Sequence, residues 1–210
     1  MNIGGFQKFS LSDFPGKVAA IVFTQGCNFR CPFCHNGALI PINAEESTLI
    51  PNNHVLSFLK EYKHKLDGVV ITGGEPTIQY DIIDFLRELK AIGLEVKLDT
   101  NGSMPSVIKD IISKDLVDYI AMDIKAPLNL YTKLAGCNIV TENITQSIDI
   151  IANSGIEHEF RTTVVGPLLS PKDILTLQKL VPEGSLHRLQ KFNPENALDE
   201  SLRIEEHTHN

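Results

Sequence analysis

Six short apolar runs alternate with stretches of helical period along this chain, and that alternation restricts its fold more than any other feature. The runs are Lys17 to Thr24, Gly68 to Thr72, Leu94 to Thr100, Tyr119 to Lys125, Glu157 to Val165 and Leu186 to Phe192. Between them, Val55, Leu59 and Tyr62 share a helix face from about Asn53, and Ile82, Phe85, Leu86 and Leu89 form a second stripe that Gly93 stops. Pro105 suits a first helical turn, a further helix runs from about Asn143 to Ser154 before Gly155, and Ser170 with Pro171 gives a cap and first-turn proline. Six strand–helix alternations predict an α/β fold with a parallel sheet and crossover helices. A full eight-unit barrel takes about 250 residues, so 210 residues are too few. An incomplete six-unit barrel and an open doubly wound sheet both satisfy the pattern. No repeat or linker divides the chain, which predicts one domain over 1–210, with residues 1–16 as an N-terminal extension and 197–210 as a flexible tail.

Composition narrows the partners. A formal charge of −7 without a basic stripe argues against nucleic acid and anionic membrane surfaces. The longest apolar run, Val18 to Phe23, is too short to span a bilayer, and the N-terminus lacks the pattern of a signal peptide. A cytoplasmic, reducing location is expected, where cysteines serve as ligands rather than disulfides.

In such folds the reactive groups lie at the carboxyl ends of the strands. Those ends here carry "TQGCNFRCPFCHN", "TGGEPT", "LDTNG", "MDIK", "RTTVVGP" and "QKFNP". Three of the four cysteines, Cys27, Cys31 and Cys34, fall in the first of them with C-x3-C-x2-C spacing. A zinc ion held by these and His35 is one reading. Against it, adjacent Cys34 and His35 have difficulty reaching one tetrahedral ion, and no second CxxC supplies another knuckle. A four-iron cluster normally takes four thiolates; three would leave one iron open. The fourth cysteine, Cys137, stands alone and reads as a packing residue or free thiol. His54, His64, His158, His187, His207 and His209 are scattered without ligand spacing.

The cysteine spacing, with aromatic Phe33 before the last cysteine, resembles the radical S-adenosylmethionine (SAM) superfamily. That resemblance implies a [4Fe-4S] cluster on Cys27, Cys31 and Cys34 whose open iron chelates SAM, and one-electron cleavage of the sulfonium to a deoxyadenosyl radical. It implies the incomplete (β/α)6 TIM-like barrel, open at the side to a large substrate, as the fold. Gly73, Gly74 and Glu75 resemble the family's glycine-glycine-glutamate motif, which binds the methionine amino group. Within the superfamily, "SLSDFPGKVAAIVFTQGCNFRCPFCHN" together with "LDTNG" and "MDIK" is similar to the activating branch for glycyl-radical enzymes. "YIAMDIKAP" and "HEFRTTVVGPL" are most similar to the activating protein of anaerobic ribonucleoside-triphosphate reductase. By that likeness the partner is this reductase, and a low-potential donor such as flavodoxin or ferredoxin supplies the electron.

The resemblance also assigns residues around the cofactor. Asp99, Thr100 and Asp123 match positions that hold a monovalent cation in the pyruvate formate-lyase activator; the plainer reading of Asp99 is a turn with Asn101 and Gly102. Ile124 and Lys125 lie in the matching "MDIK", the lysine at a position that contacts the cofactor's nucleoside. Arg161 falls near its carboxylate, and Val164 or Val165 by its adenine. Salt bridges from Lys125 and Arg161 to Asp123 or Glu75 are the alternative. Asn193 stands where that activator has a histidine, a departure that argues for a different branch. Other readings are an activase of the pyruvate formate-lyase type, a small-molecule radical enzyme such as a carboxy-deazaguanine synthase, and a zinc-stabilised interaction module. The sequence Cys34, His35, Asn36, where those synthases carry Cys-Asp-Thr, favours the activase.

Overall fold

In the computed structural model, which describes residues 1–203, seven strands form one sheet in chain order. They are β1 (Ile3–Ser10), β2 (Ala19–Thr24), β3 (Gly68–Gly73), β4 (Glu95–Thr100), β5 (Tyr119–Asp123), β6 (Glu157–Val164) and β7 (Leu186–Lys191). The order never reverses, which separates this sheet from a doubly wound one, where it turns back at a switch point. From β2 to β7 every pairing is parallel. The crossovers carry α1 (Asn52–Tyr62), α2 (Ile82–Ile92), α3 (Pro105–Ser113), α4 (Tyr131–Ala135), α5 (Thr141–Ala152) and α6 (Pro171–Gln178). Among the described residues no pairing joins β7 to β1. The result is a partial barrel, open on that side. Among the described residues no helix is long and apolar enough to cross a membrane.

Each of the six expected strands is present, with ends moved by one or two residues. The N-terminal extension needs correction: residues 3–10 are β1, antiparallel to β2 at the sheet's edge. Gly4 and Gly5 hid it by breaking the alternation. At Gly4 the fold needs the space, since a Cβ there would lie 2.5 Å from the Gln25 side chain and 2.6 Å from Leu39. The tail needs correction too. Ala197 is fully buried and Leu202 is 9% exposed, beside a 3-10 turn at Glu200–Leu202. The rest of the expected tail, 204–210, lies outside the described residues.

Local chemistry explains the helices. Ile82, Phe85, Leu86 and Leu89 are buried, and Gly93 closes α2 at φ 88°, where a side chain would be strained. Ser170 and Asp173 form a reciprocal capping box at the start of α6, with Pro171 in its first turn. These helices cover one face of the sheet, where Val22, Val69, Ile71, Leu98, Ile120 and Phe160 are fully buried. The opposite, inner face is layered. Phe14, Ala19, Ile21, Val70, Tyr119 and Ala121 form an apolar plug toward the strands' amino ends. Toward the carboxyl ends, alternation along β4, β5 and β6 brings charged side chains inward instead.

Candidate functional site

The strand ends enclose a cavity of about 420 Å³ into which Cys27, Cys31 and Cys34 all face. Their loop leaves β2 and is pinned along its first half: Cys27 N donates to Ile40 O (3.1 Å) and Arg30 N to Ala135 O (2.7 Å). Gly136, just past α4, lies so close beneath that a Cβ there would sit 2.1 Å from Arg30 O. A side-chain network adds to this, with Asn28 donating to the Ser103 hydroxyl (2.8 Å) and accepting from Asn101 (3.0 Å). Phe29 and Phe33 are buried beside the thiols and line the cavity with them. Burial pushes Cys27 up to about 11 and Cys31 up to about 12, so both are neutral thiols until a metal displaces their protons.

His35 also lines this cavity, exposed to solvent, but its ring is engaged elsewhere. Its Nε2 lies 2.6 Å from Asn193 O, and its ring stacks on Phe192. A three-cysteine, one-histidine zinc site therefore lacks its fourth ligand. Among the described residues no three His, Cys, Asp or Glu side chains converge as they would on a single ion. Three thiols facing one shared space, without a common point, fit a multi-iron group held by one thiolate per iron.

The turn after β3 forms the next wall. Gly74 N donates to Thr24 O (2.9 Å) and Glu75 N to Gly26 O (2.8 Å), and a Cβ on Gly74 would fall 2.1 Å from Gly26 O. The paired glycines thus let two backbone segments touch. Glu75, 1% exposed, accepts from Thr77 N (3.1 Å), the Thr77 hydroxyl, the Thr100 hydroxyl (2.7 Å) and Asn101 N (2.7 Å). Burial raises its carboxyl, and these four donors oppose that rise without cancelling it. With two fixed backbone N–H groups aimed at it, the geometry is that of a carboxylate.

The floor is a chain of alternating charges. Lys97 Nζ lies 2.6 Å from Asp99, whose other oxygen lies 3.2 Å from Arg161. Arg161 Nε donates to Asp123 (2.8 Å), and Lys125 Nζ reaches the second Asp123 oxygen (3.1 Å). Burial alone would push Asp123 up; Arg161 and Lys125 beside it hold it well below the usual carboxylate range. Burial opposes the charge on Lys125 and Arg161 as well, yet Asp123 raises both, Asp99 adding to the effect on Arg161. Asp99, Thr100 and Asp123, expected around a monovalent cation, are each held by the protein. Arg161 stands between the two carboxylates, and the Thr100 hydroxyl faces Glu75. The salt bridges of Lys125 and Arg161 to Asp123, the alternative reading of these residues, are present.

Phe33, Gly73, Gly74, Glu75, Asp99, Thr100, Asp123, Lys125 and Arg161 line the cavity with the three cysteines. Ile124, Val164 and Asn193 do not. Ile124 follows Asp123 and so points to the opposite, helix-covered side, where it is fully buried. Val164 has the parity of Phe160, leaving Thr163 and, opposite it on β7, Gln190 to line the cavity. Asn193 Oδ1 accepts from Glu195 N (3.1 Å) in a local turn. Sequence reasoning missed Lys97, 2% exposed, although its place two residues before Asp99 put it on the same face. Thr163 and Gln190 were reachable by the same period of two.

The family model of the radical SAM superfamily matches residues 21–181. A Methanocaldococcus jannaschii protein bearing the provisional name glycyl-radical enzyme activating enzyme is 34% identical over 206 residues, covering 96% of this chain and 84% of its own. The pyruvate formate-lyase-activating enzyme of Listeria monocytogenes is 33% identical over 121 residues, 54% of this chain and 48% of that one. Among solved structures, Streptococcus suis SuiB bound to S-adenosylmethionine superimposes with a TM-score of 0.63 at 17% identity, over 80% of this chain and 39% of SuiB; at that identity the likeness concerns the fold. The chain belongs to the radical SAM superfamily.

Proposed function

We propose that this protein is an activase that cleaves SAM reductively and places a glycyl radical on a partner enzyme, anaerobic ribonucleoside-triphosphate reductase. One observation carries the reading: three thiols, the Glu75 turn and the charged chain of Asp99, Arg161, Asp123 and Lys125 line one cavity at the strands' carboxyl ends. Cys27, Cys31 and Cys34 would hold a [4Fe-4S] cluster, which when bound supplies the electron that splits the sulfonium. The protein's own residues do the rest. Gly73 and Glu75 offer a backbone oxygen and a carboxylate to an ammonium. Lys125 and Arg161 offer cations to a carboxylate and to nucleoside oxygens. Phe29 and Phe33 line the cavity beside the thiols. The name of the archaeal relative, which matches along nearly the whole chain, supports the activase over small-molecule chemistry, and the sequence likeness described above favours the reductase as partner.

The test is to reconstitute the protein without oxygen and add reductant, SAM and the anaerobic reductase. Electron paramagnetic resonance should then show a glycyl radical doublet on the reductase. Deoxyadenosine accumulating without a doublet would rule out this partner while keeping the radical chemistry. Neither product from a protein with a full complement of iron would overturn the activase reading.

A further inference from the structure

The first half of the cysteine loop and its far end at residues 38–41 are fastened to the barrel, but residues 32 to 37 between them are held by another part of the chain. Asp199 N donates to Pro32 O (2.8 Å). His35 Nε2 meets Asn193 O at 2.6 Å, with its ring stacked on Phe192 at 5.7 Å between centroids and 13° between planes. A Cβ on Gly37 would lie 3.2 Å from Leu198 Cδ1, so that leucine rests against the glycine. These ties fall at residues 32, 35 and 37, on both sides of Cys34. The holding segment is itself braced: Arg203 Nε donates to Ala197 O (2.8 Å), Ser201 N to Asp199 Oδ1 (2.9 Å), and Ala197 is fully buried.

We infer that residues 192–203 act as a strap that positions Cys34, with His35 as its latch. The inference rests on the reading of Cys34 as a cluster ligand. A thiol carried on a free half-loop would sample many positions; one clamped on both sides is preorganised for its iron, as supporting contacts are for metal ligands generally. It also explains why His35 follows Cys34 without serving as a ligand.

Two variants isolate the strap. Asp199→Pro removes the N–H that Pro32 O accepts, at a residue whose φ of −81° suits proline. Asp199→Ala keeps that N–H and loses only the carboxylate's brace to Ser201, so the difference between the two variants reports the Pro32 tie alone. His35→Ala removes the latch. The readout is peptide-resolved alkylation of each cysteine in the reduced, metal-free protein, which needs no cluster. Cys34 should label about fivefold faster in Asp199→Pro and His35→Ala, as for loss of one net hydrogen bond, while Cys27 and Cys137 keep their wild-type rates. Iron release from the reconstituted protein to a chelator should quicken by a similar factor. Unchanged Cys34 labelling in both folded variants overturns the strap, as does Asp199→Ala matching Asp199→Pro. Equal acceleration at all the cysteines also overturns it, since that marks general loosening. Wild-type protein that labels as expected yet takes up no iron counts against the cluster reading and leaves the strap in place.

Discussion

Replacing Arg161 with methionine would remove the cation that joins Asp99 to Asp123 while keeping the bulk of the side chain. Breaking a buried ion pair by deleting one partner costs about 3–5 kcal/mol. Here each carboxylate retains a lysine, Lys97 at 2.6 Å or Lys125 at 3.1 Å, and the Asp123 side chain is 27% exposed, so solvent and lysines absorb part of the loss. The expected cost is about 2 kcal/mol at neutral pH, lowering the urea midpoint of the metal-free protein by roughly 1 M. The pH dependence gives the sharper test. In the wild type Asp123 lies well below its ordinary value, so its contribution is complete above about pH 4 and fades only at lower pH. In the variant the same carboxyl moves up. Protonation then relieves the folded state first, and the deficit narrows as pH falls through that raised value. Midpoints measured from pH 7 down to pH 2 should therefore converge toward the acid end. A constant gap across that range, or a gap below about 0.5 kcal/mol at pH 7, would refute the view that Arg161 neutralises the floor.

Two further substitutions test other walls of the cavity. Cys31→Ala should abolish both the bound iron and SAM cleavage, measured as iron content and deoxyadenosine; cleavage that persists would contradict the ligand assignment. Gly74→Ala drives a methyl group to 2.1 Å from Gly26 O and should cost about 3 kcal/mol in thermal or urea unfolding. Gly166→Ala, which meets nothing within 4 Å, should leave stability near the wild-type value.

The fold was legible where periodicity had room to act. The six parallel strands each carry a continuous or alternating apolar run, and α2 shows its stripe and stop residue directly. Chain-order pairing was beyond the sequence, because the alternation suits a barrel and a doubly wound sheet equally. β1 escaped because Gly4, Gly5 and two register shifts interrupt its pattern, and α4 because five residues are too few for a helical period. The cysteines, glycines and most of the charged groups could be named from strand-end position. Ile124, Val164 and Asn193 could not be placed that way, since one residue's difference in parity, or one local turn, sends a side chain elsewhere.

The glycine-glycine-glutamate turn shows why a motif reading and a packing reading need not compete. Read as a ligand motif, it offers small residues and a charge to a cofactor. In the fold, Gly74 is required by the approach of Gly26, and Glu75 is engaged by Thr77, Thr100 and Asn101. Those contacts tie the ends of β2, β3 and β4 together. Three of the four donors reach Oε1; Oε2 receives only Asn101 N and keeps an acceptor position beside the cavity. The carboxylate can therefore brace the wall and still accept one donor from a bound ammonium. A glutamine in its place would keep the shape but exchange one acceptor oxygen for an NH2 group. If that group occupies the Oε1 position it faces Thr77 N–H, a donor against a donor; if it occupies the Oε2 position it opposes Asn101 N–H and an incoming ammonium. Either orientation leaves a buried donor unpaired at about 1–3 kcal/mol, so the bracing and the ammonium contact proposed above would depend on the same carboxylate.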